Sequence, residues 1–157
     1  MNILNNELTT LKISGEIILF GGASMCLVYD ARTSTKDIDA LYEPKTIINQ
    51  LVKKIAESNN LRDDWLNDSI KGFISRNYDV KEFITLSNLK IYTVSPQYLL
   101  AMKLLSGRDV DYDDIKYLIS ILGLHTSEEV YNILLKYYPN DRILPKTQYI
   151  IEEIFLT

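Results

Sequence analysis

The chain has 157 residues, 46% hydrophobic and 24% charged, with 6 Gly, 4 Pro and a single cysteine. That length suits one domain, the lone Cys26 excludes a disulfide scaffold, and abundant Ile, Leu and Tyr exclude a disordered or collagen-like chain. A net charge of -4 with a pI of about 5.0 argues against general coating of nucleic acid, which needs Lys and Arg to replace phosphate counterions. A local basic patch stays open.

The start, Met1–Glu7, lacks the basic region and long apolar core of a signal peptide. Wholly apolar runs such as Ile17–Phe20 fall far short of the ~20 residues that span a bilayer. A cytoplasmic protein without membrane association is expected. Leu4, Leu8 and Leu11 predict a short leading helix, broken at Ser14-Gly15. Glu16–Phe20 reads as a buried strand ending at Gly21-Gly22, and Ala23–Tyr29 is compatible with a helix. Asp37–Tyr42 alternates as a strand does, with Ile38, Ala40 and Tyr42 opposite Asp37, Asp39 and Leu41.

After Pro44, apolar residues recur at helical spacing through Thr46–Ser58, and Asn59-Asn60 ends that helix. Leu61–Arg76 predicts only a helical turn or two, on Trp65, Leu66, Ile70 and Phe73. Phe83–Leu86 and Leu89–Val94 read as strands around a Ser87-Asn88 turn. Beyond them the pattern is helical. Ser95-Pro96 caps a helix over Pro96–Leu105, stopped by Ser106-Gly107. Helices follow over Asp111–Leu122, over Ser127–Tyr137 with Thr126 or Ser127 as cap, and over Lys146–Phe155.

Three features carry chemistry. Gly21-Gly22-Ala23-Ser24 follows a buried strand, where glycines let backbone approach a bulky group and the next helix offers N–H groups to an anion. A tight strand-to-helix turn would use the same residues, and there is no Rossmann or P-loop fingerprint. Asp37-Ile38-Asp39 places two carboxylates on one side of a strand, about 6.5 Å apart. Such a pair can converge on Mg²⁺, which takes one or two carboxylates plus substrate phosphates and water. Solvent-facing acids would look alike, but Ile38 pins the other face into a core. Third, Lys103 lies on a helix rich in Leu and Met, just before Arg108-Asp109-Val110-Asp111-Tyr112-Asp113-Asp114. Its ammonium is either aimed at a ligand or snorkelling to solvent.

In this order the strand, Gly21-Gly22-Ala23-Ser24 and Arg32-Thr33-Ser34-Thr35-Lys36-Asp37-Ile38-Asp39 resemble the nucleotidyltransferase superfamily typified by DNA polymerase beta. Val94-Ser95-Pro96-Gln97-Tyr98-Leu99-Leu100-Ala101-Met102-Lys103-Leu104-Leu105, continuing through Arg108 to Asp111-Tyr112-Asp113-Asp114-Ile115, is similar to small bacterial proteins related to the AbiEii/MenT toxins. The resemblance runs from Ile17 to Leu122. It implies an α+β fold, a small mixed β-sheet core over residues 1–95 flanked by helices. A helical C-terminal third over residues 96–157 would pack on it in a single domain.

It also implies that Gly21, Gly22 and Ser24 hold nucleotide phosphates, Asp37 and Asp39 ligate Mg²⁺, and Lys103 contacts the triphosphate. Asp111 would match a later acid of the toxin-like motif, and Arg32 would orient the loop or bind phosphate. The implied reaction moves NMP from a nucleoside triphosphate to a hydroxyl of RNA or protein, with a cognate antitoxin or other protein as partner. The polymerase-like third carboxylate has no counterpart in Leu89–Val94, and Asp79 and Glu82 cannot be placed from sequence. A catalytically inactive module of the same fold, binding a nucleotide or a protein partner, is therefore the alternative. An unrelated α+β protein with a decorative DxD would be a third.

Other residues carry less. His125, the only histidine, reads as a helix C-terminal cap and Cys26 as core. Trp65 reads as a structural anchor, and no zinc set exists in the sequence.

Overall fold

A computed structural model describes residues 1–31, 33–75 and 77–156. The fold is α+β, as expected. Its described elements are α1 (Asn2–Leu11), β1 (Gly15–Leu19), α2 (Gly21–Leu27), β2 (Ile38–Glu43), α3 (Lys45–Asn59), β3 (Leu66–Asn67), β4 (Val80–Thr85) and β5 (Leu89–Val94). Four helices follow: α4 (Pro96–Ser106), α5 (Tyr112–Ile121), α6 (Ser127–Tyr137) and α7 (Pro145–Leu156). No helix of the described residues is long and apolar enough to cross a membrane.

The chain divides into two compact units. The first comprises Met1–Gly72 and Val80–Val94, the second Phe73–Asp79 with everything from Ser95 onward. The chain passes from the first unit to the second at Val94/Ser95, and tyrosines tie Phe73–Asp79 to the second unit. The Ser75 N–H donates to the Tyr98 hydroxyl at 2.8 Å, the Tyr138 hydroxyl to the Phe73 carbonyl at 2.8 Å, and the Tyr137 hydroxyl to the Asp79 carboxylate at 2.9 Å.

The first unit is built on a mixed sheet in the order β3-β2-β1-β5-β4. β1 runs antiparallel to β2 and parallel to β5, β2 runs parallel to β3, and β4 antiparallel to β5. Ile17, Leu19, Ala40, Leu89 and Ile91 face a core closed by Leu4 and Leu8 of α1 and by Ile48, Leu51, Val52 and Ile55 of α3. Leu11, expected on the same stripe, is the last residue of α1 and is 49% exposed. Cys26 is half-buried rather than core.

Leu61–Arg76 differs most from its expected helical turns. Leu66–Asn67 pairs with Ile38–Asp39 as a two-residue strand, followed by a 3-10 turn over Ser69–Phe73. Two residues are too few to show any periodicity, so only tertiary pairing reveals the strand. Trp65 anchors it: its indole N–H donates to the Val52 carbonyl at 3.0 Å, and its own carbonyl accepts from Ile38 N–H at 2.8 Å.

In the second unit α4 is central, with Tyr98 through Leu104 all buried. A helix apolar around most of its circumference must be enclosed, and α5, α6 and α7 all pack on it. The Ser95 hydroxyl accepts from Tyr98 N–H at 3.2 Å, and Gly107 ends the helix at φ 57°. α6 carries a capping box. Thr126 Oγ1 accepts from Glu129 N–H at 3.3 Å, while the Glu129 carboxylate accepts from Thr126 N–H at 3.0 Å and His125 N–H at 2.7 Å. His125 therefore belongs to the start of α6, not to a C-terminal cap, and its side chain is exposed. Thr126→Ala should lower the stability of the chain by about 1 kcal/mol, read as a shifted urea midpoint with unchanged slope.

Candidate functional site

The first unit brings the glycine turn and the carboxylate pair together through strand pairing. Because β1 and β2 are antiparallel, with Leu19 opposite Ala40, the end of β1 meets the start of β2. The ladder extends one step further, with Phe20 N–H donating to the Asp39 carbonyl at 2.9 Å. Gly21 then turns the chain into α2 at φ 54°, a conformation that only glycine adopts without cost. A Cβ on Gly21 would lie 3.3 Å from Asp39 Oδ2, so the bare α-carbon is what lets the two motifs touch. Gly22 is half-buried in the first turn of α2.

The pair itself spans the strand start. Asp37 sits in a bend just before β2 rather than within the expected Asp37–Tyr42 strand, and Asp39 is the second strand residue. Both carboxylates are half-buried and both are approached from Asn67–Ser69. Asn67 Nδ2 donates to Asp37 Oδ2 at 3.3 Å and Ser69 Oγ donates to Asp39 Oδ1 at 3.1 Å. One short segment can reach both only if they project to the same side, as residues two apart on a strand do. Asn67 is fixed in turn, since its Oδ1 accepts from Ser69 N–H at 3.0 Å.

Asn67 and Ser69 are functional candidates that sequence reasoning missed. Their only signal was a polar run after Trp65-Leu66, which without pairing partners reads as loop. Asp68, between them, turns to Lys45 and Lys71, which hold its carboxyl below the usual carboxylate range through hydrogen bonds.

The other expected residues are placed as follows. Ser24 is fully buried, with its hydroxyl accepting from Thr93 Oγ1 at 3.1 Å, so it ties α2 to β5. Arg32 lies outside the described residues. Glu82 is on β4, with β1 and β5 between that strand and β2. Asp79 belongs to the second unit, bonded to Tyr137. Glu82 therefore does not stand beside Asp39; the residue in register with it on β3 is Asn67.

Lys103 and Asp111, both in the second unit, are joined to each other. Lys103 is 3% exposed because α4 offers it no solvent face. Its ammonium donates to Asp111 Oδ1 at 2.7 Å and pairs with Asp114 Oδ2 at 2.6 Å. Asp111 Oδ2 accepts from Arg108 Nε at 2.8 Å and from Ser106 Oγ at 3.2 Å. Burial pushes the Asp111 carboxyl up, but the hydrogen bonds and charges of Lys103 and Arg108 outweigh it and hold the group below the ordinary carboxylate range. Asp111 lies in a 3-10 turn, Asp109–Asp111, just ahead of α5 rather than inside the helix.

The donor chemistry of the first unit is all oxygen: two carboxylates with a hydroxyl and an amide beside them. That set fits Mg²⁺, which needs no more than two protein carboxylates. Among the described residues no group of three or more His, Cys, Asp or Glu could hold a metal, so Asp37 and Asp39 stand as a pair. No curated protein and no solved structure matches the chain. The family match runs over residues 1–137, through the glycine turn, the carboxylate pair and the Lys103 cluster alike, and by it the chain belongs to the family described as "Nucleotidyltransferase of unknown function (DUF6036)".

Proposed function

We propose that the protein is a Mg²⁺-dependent nucleotidyltransferase that moves a nucleoside monophosphate from an NTP to a hydroxyl of RNA or protein. The observation that carries this reading is the approach of Gly21 to the Asp39 carboxylate at the paired ends of β1 and β2. A backbone turn that a phosphate can approach is thereby set next to two acids. In the reaction the acceptor hydroxyl oxygen bonds to the α-phosphorus as its proton passes to water, the bond from that phosphorus to the bridging oxygen breaks, and pyrophosphate leaves. Asp37 and Asp39 would hold the ion, with Asn67 and Ser69 fixing their orientation. Mg²⁺ held there would supply activation of the attacking oxygen and charge stabilisation of the leaving one.

Gly21 and Gly22 admit the triphosphate to the backbone, and Ser24 holds α2 against β5 so that the turn keeps its place. Lys103 and Asp111 enter as the buried ion pair. The similarity of Val94–Ile115 to AbiEii/MenT-related proteins supports a toxin-like role in the cytoplasm with an antitoxin as partner. A second reading, an inactive module of the same fold that binds a nucleotide or a protein, is favoured by one observation: the residue in register with Asp39 is the neutral Asn67.

Calorimetric titration with each of the four NTPs, with and without Mg²⁺, tests the proposal. Metal-dependent binding of at least one NTP is expected, with its loss in Asp37→Ala/Asp39→Ala while the variant stays folded. Binding without transfer of labelled NMP to any RNA or protein would favour the inactive module. No NTP binding by the folded wild type would overturn the enzyme reading.

A further inference from the structure

The helical unit carries a cleft of about 490 Å³ between α5 and α7, within the roughly 300–1,000 Å³ range of small-molecule sites. Its α7 wall is Lys146, Tyr149, Ile150 and Glu153, the spacing of one helix face. Along that face a cation is followed one turn later by an aromatic ring and, a further turn on, by a carboxylate. The run is about 10 Å long at 1.5 Å per residue. The facing wall has a related order, Arg108 and Asp109 preceding Tyr112 and Ile115. Lys146 Nζ donates to Asp109 Oδ1 at 2.9 Å, so the cations of both walls share one end.

Ile115 and Ile150 are buried at the floor of this cleft, whereas Tyr149 is 69% exposed. Around the floor, Lys146 pairs with Asp109, and Tyr112 carries the Lys116 ammonium 4.7 Å from its ring centroid, which leaves Tyr149 as the ring with open faces. Arg108 turns Nε inward to Asp111, but its side chain is 64% exposed, leaving the rest of the guanidinium fork at the rim. The family match stops at residue 137, so the α7 wall lies wholly beyond it.

The geometry points to a nucleotide-binding site in the α5–α7 cleft. The base lies against Tyr149, the phosphate meets Arg108 and Lys146, and an exocyclic amine of the base donates to Glu153. Aromatic faces stack any base, and a guanidinium fork matches phosphate oxygens. Asp109 and Glu153 balance the two cations, which disfavours a triphosphate. A nucleoside monophosphate unit, free or at the end of an RNA, brings the least phosphate charge into such a cleft. The assignment does not rest on the transferase reading, because every residue it uses is in the helical unit.

Titration of the full chain in EDTA with AMP, UMP and a short oligo(A) RNA tests it. AMP should bind in preference to UMP, and Tyr149→Ala should weaken binding by roughly 5- to 150-fold, the range for loss of a stacked base. Glu153→Leu should reduce the preference, since leucine cannot accept from the exocyclic amine that uracil lacks. Asp37→Ala/Asp39→Ala should change nothing. Oligo(A) displaced by AMP would assign the site to an RNA end, and AMP binding alone to a free nucleotide; both support the site. Absence of any binding, binding unchanged in Tyr149→Ala, or loss in Asp37→Ala/Asp39→Ala would overturn it. Tyr149 is exposed, so its removal leaves the fold intact, as an unchanged Tm would verify.

Discussion

Lys103→Met should lower the melting temperature at pH 7 by roughly 10 °C. The ammonium is 3% exposed and compensates Asp111 and Asp114, themselves nearly inaccessible. Removing one partner of a buried ion pair leaves charge without compensation and costs about 3–5 kcal/mol, with roughly 2–4 °C per kcal/mol for a chain of this size. The pH dependence has a definite sign. Asp111 in the folded wild type sits below its ordinary value, so its contribution is complete above the unfolded carboxyl pKa of about 4 and is lost as pH falls through the lower folded value.

In Lys103→Met the two aspartates lose the ammonium that both share, Asp111 keeping only Arg108, and protonation of Asp111 relieves part of that loss. The melting temperatures of the two chains should therefore converge between pH 7 and pH 3. A variant that keeps its wild-type Tm at pH 7 but loses NTP binding would instead return Lys103 to the triphosphate.

Gly21→Ala should weaken metal-dependent NTP binding and transfer, while leaving a folded protein. An alanine at φ 54° carries a left-handed penalty of about 1–2 kcal/mol. Its Cβ would also stand 3.3 Å from Asp39 Oδ2, tight enough that the carboxylate must shift by a few tenths of an ångström. Displacements on the scale of an ångström at a reacting centre cost as much as 100-fold, so transfer should fall by one to two orders of magnitude with a small change in Tm. Wild-type binding in Gly21→Ala would separate the turn from the site. Gly123→Ala is the control, because Gly123 also has positive φ, at 63°, but a Cβ there meets nothing within 4 Å.

Helices α4 and α6 were legible because each carries its own punctuation. Ser95-Pro96, Thr126 with Glu129, and Gly107 mark starts and stops through hydrogen bonds made within a turn of the residue itself. β1 and the glycine turn were legible for a similar reason, an apolar run cut short by Gly21-Gly22. The strand at Leu66–Asn67 was not, because its only definition is pairing with Ile38–Asp39 across some thirty residues of chain. Lys103 was legible as unusual but not in its partner. Its helix has no polar face, and which carboxylate meets a buried ammonium depends on how α4 and the turn before α5 pack.

The sequence by itself determined the local vocabulary: a strand ending in two glycines, a carboxylate pair at spacing two, and capped helices after Ser95. These follow from backbone sterics and side-chain alternation, which act over a few residues. Only the tertiary structure decided that β1 and β2 run antiparallel, and hence that Gly21 touches Asp39. It alone placed Asn67 rather than an acid beside that carboxylate and closed Lys103 on Asp111 and Asp114. Those outcomes are set by sheet register and helix packing, which minimise exposed apolar surface over the whole unit and have no signature at any single position.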